Sequence, residues 1–300
     1  MKNLLRISIG IPAYNEEENI GKLLAALLNQ KTDKIRIEKI IVVSSGCTDR
    51  TNDIVEEFSE NDDKILLIKQ DRREGKASAI NEFLKVADSD VLVLESADTI
   101  PEKETIERLC FPFIDEKVGM AGAHPIPVNN KDDFMGYVVH LLWGLHHCLA
   151  LKSPKCGELV AFRKVFDSIP KDVAVDEAWI EHEIRMRGLR VVYVPEAIVY
   201  NKGPETVWDF LKQRRRISYG HLDLHRRTGY KVSSWSVTLL LPVVSKIFPY
   251  KSPREWGLFI SAFALEALGR LLGYYDYLKK KRHEVWEISR TTKSLEVNVC

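Results

Sequence analysis

The sequence has few cysteines and no excess of charge of either sign. Its five cysteines are scattered, odd in number and never spaced as CxxC, which argues against a disulfide framework or a zinc knuckle. With 44 basic and 43 acidic residues the formal net charge is +1, so no overall field favours nucleic acid as a partner. A reducing, cytoplasmic setting is therefore the expectation.

The amino-terminal stretch also lacks the pattern of a targeting segment. MKNLLRISIGIP is interrupted by Pro12 and is too short in its apolar part to be a signal peptide. The overall composition, 45% apolar and 29% charged, is typical of a folded chain, and 300 residues suffice for one large core or two modest domains. These features predict a folded protein with its main part on the cytoplasmic side.

Short apolar runs alternate with stretches of helical periodicity over the first two hundred residues. This alternation predicts strand–helix units in an open, mostly parallel α/β sheet. The predicted strands are residues 7–11, 40–43, 65–68, 91–94, 118–123 and 191–194. The apolar faces of two predicted helices comprise Ile20, Leu23, Leu24, Leu27 and Leu28 in one, and Ala77, Ile80, Leu84 and Ala87 in the other.

Polar and turn-forming residues follow the first four predicted strands. The four segments are PAYNEE (12–17), SSGCTDRT (44–51), DRREGK (71–76) and ESADTIP (95–101). In open α/β sheets ligands bind at the carboxyl ends of the strands, where these segments would converge. Any one of them alone is compatible with an ordinary loop or helix cap, but all four together indicate a binding site.

The strings at these strand ends resemble, in order, the motifs of the family 2 nucleotide-sugar glycosyltransferases. They are IGIPAYNEEENIGKLLAALL, IIVVSSGCTDRTNDIV, REGKASAIN and VLESADTIP, followed by GELVAFR and DEAWIEHEIRMRGLRVVYVPEAIVYNKGPETVWDFLKQRRRI. The resemblance covers roughly residues 5–220. It implies a GT-A type, Rossmann-like open sheet flanked by helices over residues 1–230, with a nucleotide half at about 1–100 and an acceptor half at about 101–230. A C-terminal helical region would occupy residues 231–300.

The resemblance implies inverting transfer of a sugar from a nucleotide diphosphate donor to an acceptor hydroxyl or phosphate. The base position of the paired-acid motif falls on Glu177, with Asp176 just before it, and the assignment between the two stays open. The residues of the nucleotide side would be Pro12, Ala13, Tyr14, Glu16, Ser45, Lys76, Ala97 and Asp98. Those of the acceptor and diphosphate side would be Gly157, Gln213, Arg215 and Arg216.

A divalent cation, Mg²⁺ or Mn²⁺, is the cofactor that the resemblance implies. Asp98 aligns with the metal-side aspartate, but Ser96 stands where its acidic partner is usual, and Glu95 alternates to the other face of the strand. We therefore expect weak metal binding without nucleotide and tighter binding with it. His221, in the i, i+4 pair of HLDLH, is a weaker candidate ligand.

Other departures from the family pattern bear on the donor nucleotide and on the type of transfer. Ser45 stands where many relatives have a uracil-reading aspartate, which argues against UDP as the donor and makes GDP or another nucleotide credible. Ile217 replaces the tryptophan of the QxxRW motif, which favours a single-transfer enzyme over a processive synthase. Ser96 also supports an alternative, a catalytically silent nucleotide-sugar-binding or scaffold protein. A nucleotidyltransferase would need a glycine-rich loop after the first strand, and PAYN is not one.

The C-terminal part is rich in apolar residues. Residues 237–249 are too few to cross a bilayer as a helix, whereas residues 256–275 have the length but carry Glu266 and Arg270. Aromatic residues and the basic cluster 279–282 suit a headgroup boundary. Peripheral attachment through 232–282 at the cytoplasmic face is the favoured expectation, with a two-pass hairpin or a soluble helical subdomain as alternatives. Attachment would favour a lipid-linked acceptor over a free glycan.

Overall fold

The computed structural model describes residues 4–247, 252–281 and 290–296. The predictions that concern residues 248–251, 282–289 and 297–300, including Arg282 of the basic cluster and Cys300, lie outside the described residues.

One eight-stranded sheet organises the described chain, in the order β3-β2-β1-β4-β7-β6-β8-β5. Its strands are β1 (Leu5–Ala13), β2 (Ile35–Ser45), β3 (Ile65–Gln70), β4 (Val91–Glu95), β5 (Thr99–Pro101), β6 (Val118–Pro127), β7 (Leu159–Arg163) and β8 (Arg190–Asn201). All six predicted strands are confirmed. The first four pair in parallel, whereas β7 is antiparallel to both of its neighbours and β5 is antiparallel to β8. The second half of the sheet therefore contains more antiparallel pairing than the sequence predicts.

Nine α-helices accompany the sheet in the described residues. They are α1 (Ile20–Leu28), α2 (Thr51–Asn61), α3 (Lys76–Val86), α4 (Thr105–Cys110), α5 (Phe134–Ala150), α6 (Asp176–Met186), α7 (Val207–Thr228), α8 (Val237–Ile247) and α9 (Pro253–Leu278). Alternate residues of the strands point to opposite faces of the sheet. Ile40 and Val42 therefore join one core, and Ile41 and Val43 join the other. Of the predicted apolar face of α1, Ile20, Leu23, Leu24 and Leu27 are buried, whereas Leu28, the last residue of the helix, is 36% exposed.

Two helices begin at the edge where the parallel strands end. Gly75, with a φ of +91°, turns the chain so that α3 starts at Lys76. On the acceptor side α6 starts at Asp176, directly followed by Glu177. This arrangement brings the first turns of α3 and α6 together over the ends of β1, β2 and β4.

The C-terminal helices pack on the rest of the protein. Glu266 of α9 forms ion pairs with Arg214 of α7 and with Arg270 one turn further along α9. The two charges that are unfavourable for a bilayer-crossing helix are thus paired and turned toward α7. Among the described residues, α9 is the one helix that is long and apolar enough to cross a membrane. In this structure 28% of its most apolar window is buried against the protein.

Candidate active site

A cleft of about 840 Å³ opens at the carboxyl edge of the sheet. It is lined by every residue that the sequence assigns to a site, together with residues that it does not. The lining includes Pro12, Ala13, Tyr14, Glu16, Ser45, Lys76, Ala97, Asp98, Gly157, Asp176, Glu177, Gln213, Arg215, Arg216 and His221. The fold thus brings residues more than 200 positions apart into one cleft.

Lys76 contacts both members of the paired-acid motif. Its Nζ lies 2.8 Å from Asp176 Oδ2 and 2.7 Å from Glu177 Oε1. Asp176 is 1% exposed, whereas Glu177 retains 20% of its side-chain surface at the cleft. Lys76, predicted to belong to the nucleotide side, thus bridges to the two carboxylates at the start of α6.

Burial and this ammonium act in opposite directions on the two acids. Burial and the charge of Glu177 raise the pKa of Asp176, which Lys76 only partly offsets. Burial also acts to raise the pKa of Glu177, but the charge and hydrogen bond of Lys76 outweigh it and the pKa is lowered. Glu177 is therefore the member that is both accessible and held as a carboxylate, which is the state a proton acceptor requires.

The loop after β1 is tied to the loop after β2. Asn15, at a φ of +52°, accepts a hydrogen bond on Oδ1 from the Thr48 amide (2.8 Å), and the Glu16 amide donates to Thr51 Oγ1 (2.7 Å). The guanidinium of Arg73 lies over the Tyr14 ring, 4.0 Å from its centroid. These contacts fix a polar pocket wall with an aromatic face, a surface suited to a nucleoside.

Ser45 closes the same wall from β2. It is buried, and its Oγ accepts a hydrogen bond from the Glu74 amide (3.0 Å). The hydroxyl thereby joins the end of β2 to the segment that precedes α3. A neutral, engaged hydroxyl stands at the position where an aspartate would offer two acceptor oxygens.

The acidic side of the cleft centres on Asp98. Burial and the Asp98 charge raise the pKa of Glu16 to about 7 and that of Glu158 to about 7. Among the described residues no group of three or more His, Cys, Asp or Glu side chains could hold a metal ion alone. A single half-buried carboxylate at the cleft, whose charge perturbs its neighbours, fits a hard cation that takes its other oxygen ligands from a bound diphosphate.

Glu95 is turned away from this cation position. Its side chain is fully buried, and Thr99 Oγ1 donates to Glu95 Oε1 at 2.5 Å. Its second oxygen has no hydrogen-bond partner among the described residues. Burial raises the pKa of Glu95 to about 8, so the neutral acid is the favoured form in the fold. Glu95 therefore stabilises the turn into β5 and does not substitute for the missing aspartate.

Two adjacent arginines of α7, Arg215 and Arg216, interact with different parts of the protein. Arg215 donates to both carboxylate oxygens of Asp276 of α9, through Nε and Nη2, so it anchors the C-terminal helix. Arg216 faces the paired acids: burial lowers its pKa to about 10, against the opposing charges of Asp176 and Glu177. The helix motif thus contributes one cation to the carboxylates and one to the packing of α9.

His221 lies among positive charges. Burial and the charges of Lys155, Arg214 and Arg270 hold the pKa of His221 well below its usual range. Its ring also lies edge-on to Trp235. Repulsion from these cations opposes metal binding there, so the setting gives no support to His221 as a ligand.

Among the charged residues of the cleft that the sequence reasoning missed are Glu158, Lys155 and Lys293. Glu158 follows the predicted Gly157, and its φ of +60° signals a special backbone position that only the structure shows. Lys155, whose pKa burial and two arginines lower to about 8, lies in a stretch without a motif. Lys293 comes from the far end of the chain. Of these three residues, only Glu158 could have been found from the sequence, because it is an acidic residue directly before a strand.

The match to family models covers most of this architecture. The model described as "Glycosyl transferase family 2" matches residues 8–165, more than half of the chain. The chain belongs to glycosyl transferase family 2. A second model, "Glycosyl transferase family group 2", matches residues 93–271 and so extends into α9.

Curated relatives of this family 2 chain are larger proteins. It is 28% identical over 227 residues to the poly-β-1,6-N-acetyl-D-glucosamine synthase of Staphylococcus aureus, covering 71% of this chain and 54% of the relative. It is 41% identical over 123 residues to the probable glycosyltransferase YdaM of Bacillus subtilis, covering 40% and 29%. The chain thus spans about half the length, or less, of the curated relatives it matches.

Solved structures share the fold. A mannosyltransferase from Pyrobaculum calidifontis in complex with GDP-Man and Mn²⁺ superposes with a TM-score of 0.64 at 20% identity, covering 93% of this chain and 88% of the other. A glucosyl-3-phosphoglycerate synthase from Mycobacterium tuberculosis, in complex with Mn²⁺ and UDP, gives 0.52 at 16% identity, covering 76% and 82%. At these identities the likeness establishes the GT-A type fold.

Proposed function

We propose that this family 2 protein is an inverting glycosyltransferase that moves a sugar from a nucleotide diphosphate donor to an acceptor hydroxyl or phosphate. The observation that carries the proposal is the meeting of Lys76, Asp176 and Glu177 in the same cleft as the nucleotide wall and Asp98. A base, a cation and a nucleotide pocket are the parts that direct displacement at an anomeric carbon requires.

The base is assigned to Glu177. Its carboxylate would accept the proton of the acceptor hydroxyl as the acceptor oxygen attacks the anomeric carbon, and the bond to the diphosphate oxygen breaks on the opposite side. Asp176, buried beneath it, holds Lys76 in place. Lys76 and Arg216 supply positive charge near the leaving diphosphate, where negative charge develops.

Asp98 would hold the Mg²⁺ or Mn²⁺ ion. Such an ion, when bound, neutralises charge on the diphosphate and so makes it a better leaving group. Structural neighbours at low identity were solved with Mn²⁺, which supports this cofactor. Because Ser96 offers no second carboxylate, the ion should bind weakly unless the nucleotide is present.

The acceptor side of the cleft combines cations with apolar side chains. Lys155 has no ion-pair or hydrogen-bond partner within the described part of the chain, and Arg214 and Arg270 lie near enough to lower its pKa. Apolar side chains from α5, α8 and α9 line the same region: Leu142, Leu145, Leu149, Leu240, Val244 and Phe263. Positive charge beside an apolar channel supports a lipid-linked acceptor with a phosphate group over a purely glycan acceptor.

The exposed face of α9 supports peripheral attachment at the cytoplasmic face of a membrane. Ile260 and Leu271 are 59% and 65% exposed, while Glu266 and Asp276 of the same helix form ion pairs with Arg214 and Arg215 of α7. A helix with one packed face and one apolar exposed face suits a position in the membrane interface.

Two substitutions test the site. Asp98→Ala and Glu177→Gln should each reduce transfer roughly 100-fold or more, because one removes the cation ligand and the other the proton acceptor. Transfer is followed with a panel of UDP and GDP sugars and Mn²⁺, and circular dichroism checks that each variant is folded. Full activity in both variants would contradict the assignment.

The alternative is a nucleotide-sugar-binding or scaffold protein without turnover, which the serine at position 96 favours. Calorimetry with the same panel, with and without Mn²⁺, separates the two. Binding without turnover of any donor would support the alternative.

A further inference from the structure

The segment at residues 290–296, called the C-terminal clasp below, packs against the nucleotide side of the cleft. Asn19 Nδ2 donates to the Lys293 carbonyl (2.7 Å), and the Leu295 amide returns a hydrogen bond to Asn19 Oδ1 (3.0 Å). Lys22 Nζ donates to the Leu295 carbonyl (2.9 Å). Leu295 and Asn19 are both fully buried. The clasp is therefore an integral part of the fold around α1.

The clasp is also joined to the acceptor side. Thr291 Oγ1 donates to Asp209 Oδ2 (3.0 Å) in the first turn of α7, and the Glu205 amide donates to Thr291 Oγ1 (3.3 Å). Thr292 and Lys293 between these anchors line the cleft. The two halves of the site are thus bridged by a segment that lies outside the matched family regions.

The ammonium of Lys293 contacts three acceptors in the loop at residues 14–16. It donates to the carbonyls of Tyr14 (2.8 Å) and Asn15 (2.9 Å) and forms an ion pair with Glu16. These three acceptors match the three donors of an ammonium. The central residue, Asn15, has the left-handed φ of +52°, a conformation that surrounding contacts must hold.

We propose that Lys293 is a positioning residue for the donor, holding loop 14–16 in the shape that the nucleoside pocket requires. The inference rests on the proposed function. Tyr14 and Glu16 both line the cleft, and Tyr14 carries the Arg73 contact that forms the aromatic wall. Without the ammonium, two adjacent carbonyls and a carboxylate lose their shared donor. Glu16 then keeps the hydrogen bond from Asn19 Nδ2 (3.2 Å) but has no ion-pair partner beside Asp98.

The test uses full-length Lys293→Met, which keeps the length of the side chain and removes its donors. Calorimetry with UMP, UDP, GMP and GDP in the presence of Mn²⁺ identifies the preferred base. For that base we expect Lys293→Met to weaken the mono- and diphosphate by the same factor, roughly tenfold for the loss of charge-assisted hydrogen bonds. Lys293→Arg should restore most of the affinity. In turnover, the donor KM should rise while kcat changes by less than about threefold.

A control variant, Lys64→Met, removes an exposed lysine at the opposite edge of the sheet and should bind like the wild type.

Wild-type affinity in Lys293→Met would overturn the inference and leave the proposed function intact. A loss confined to the diphosphates would overturn it too, because it would indicate direct contact with phosphate. If the wild type bound none of the four nucleotides, the proposed function and the inference would fall together. Lys293→Gln replaces the methionine variant should that variant lose cooperative thermal unfolding.

Discussion

At the residue scale, Lys76 sets the proton affinity of the proposed base. Its ammonium lies 2.7 Å from Glu177 and outweighs the effect of burial on the pKa of that carboxyl. In the ground state the base is therefore ionised but weak. A diphosphate that drew Lys76 toward itself would raise the proton affinity of Glu177 at the moment the acceptor must lose its proton.

Replacement of Lys76 by methionine should shift the pH dependence of the reaction. Burial acts to raise the pKa of Glu177, but the charge and hydrogen bond of Lys76 lower it in the wild type, so the pKa should rise when the ammonium is removed. The acidic limb of kcat/KM, which reports on the free enzyme, should then move to higher pH. Lys76→Arg keeps the charge and should leave the limb unmoved. Identical limbs in Lys76→Met and the wild type would contradict this account.

Glu95 makes stability depend on pH in the opposite sense from an ordinary acid. Its pKa is raised to about 8 by burial, so the folded state binds a proton that the unfolded chain releases near 4.5. Its contribution to stability is present below pH 4.5 and is lost as the pH rises toward 8. We expect Glu95→Gln to raise the melting temperature at pH 8 by a few degrees, roughly 2–4 °C for each kcal/mol regained.

The measurement is thermal unfolding of the wild type and Glu95→Gln at pH 5, 6.5 and 8. The gain from the substitution should grow with pH, because glutamine keeps an acceptor for Thr99 and carries no charge. A gain that is the same at all three pH values would show that Glu95 is not the titrating group.

At the scale of elements, α9 is held to α7 by close approach as well as by ion pairs. A Cβ at Gly273 would lie 2.5 Å from the Arg215 carbonyl oxygen and 2.6 Å from Ser218 Cβ. Gly257, in the same helix, has open space at that position. The close approach of α7 therefore requires glycine at position 273 but not at position 257, although no sequence pattern distinguishes the two.

Gly273→Ala should destabilise the packing of α9 by about 1–3 kcal/mol, because backbone of α7 must move to admit the methyl group. Gly257→Ala should be neutral or stabilising by up to about 1 kcal/mol, since alanine favours the helix. Denaturant unfolding of both variants provides the measurement. Equal effects from the two substitutions would show that α9 does not approach α7 as closely as described.

The first half of the sheet was predictable because its strands read as continuous apolar runs. β1, β2 and β4 are buried on both faces over most of these runs, and the edge strand β3 keeps the apolar run although Leu66 is 42% exposed. The resemblance of the ordered motifs then predicted that the loops after β1 and β2, Asp98 and the paired acids belong to one site, and they do line one cleft. Short β5 and antiparallel β7 carry weaker patterns, and pairing direction depends on contacts distant in sequence. Lys155 and Lys293 were unpredictable for the same reason: no local pattern shows that a lysine will meet a loop some 280 residues away.

At the scale of the whole molecule, the described charges and apolar groups are separated on the C-terminal helices. Arg214 of α7 and Glu266 and Arg270 of α9 form one ion-paired cluster between the two helices, in which Glu266 is buried and Arg270 is partly exposed. The outer face of α9 presents aromatic and aliphatic side chains instead, among them Tyr274 and Tyr275. The cleft itself combines cations with apolar side chains of α5, α8 and α9, and this combination would suit a lipid-linked acceptor that enters from a membrane surface.

This arrangement predicts reversible binding to anionic vesicles. Wild-type protein should sediment with vesicles that contain anionic lipid, because exposed apolar side chains insert and nearby lysines attract the headgroups. Replacing Ile260 and Leu271 by aspartate should abolish sedimentation by removing apolar area and adding repulsive charge. The matched control is Ile114→Asp, an equally exposed isoleucine (66%) remote from α9, which should sediment like the wild type. A wild-type protein that stays soluble without detergent and ignores anionic vesicles would contradict peripheral attachment, and with it the argument for a lipid-linked acceptor.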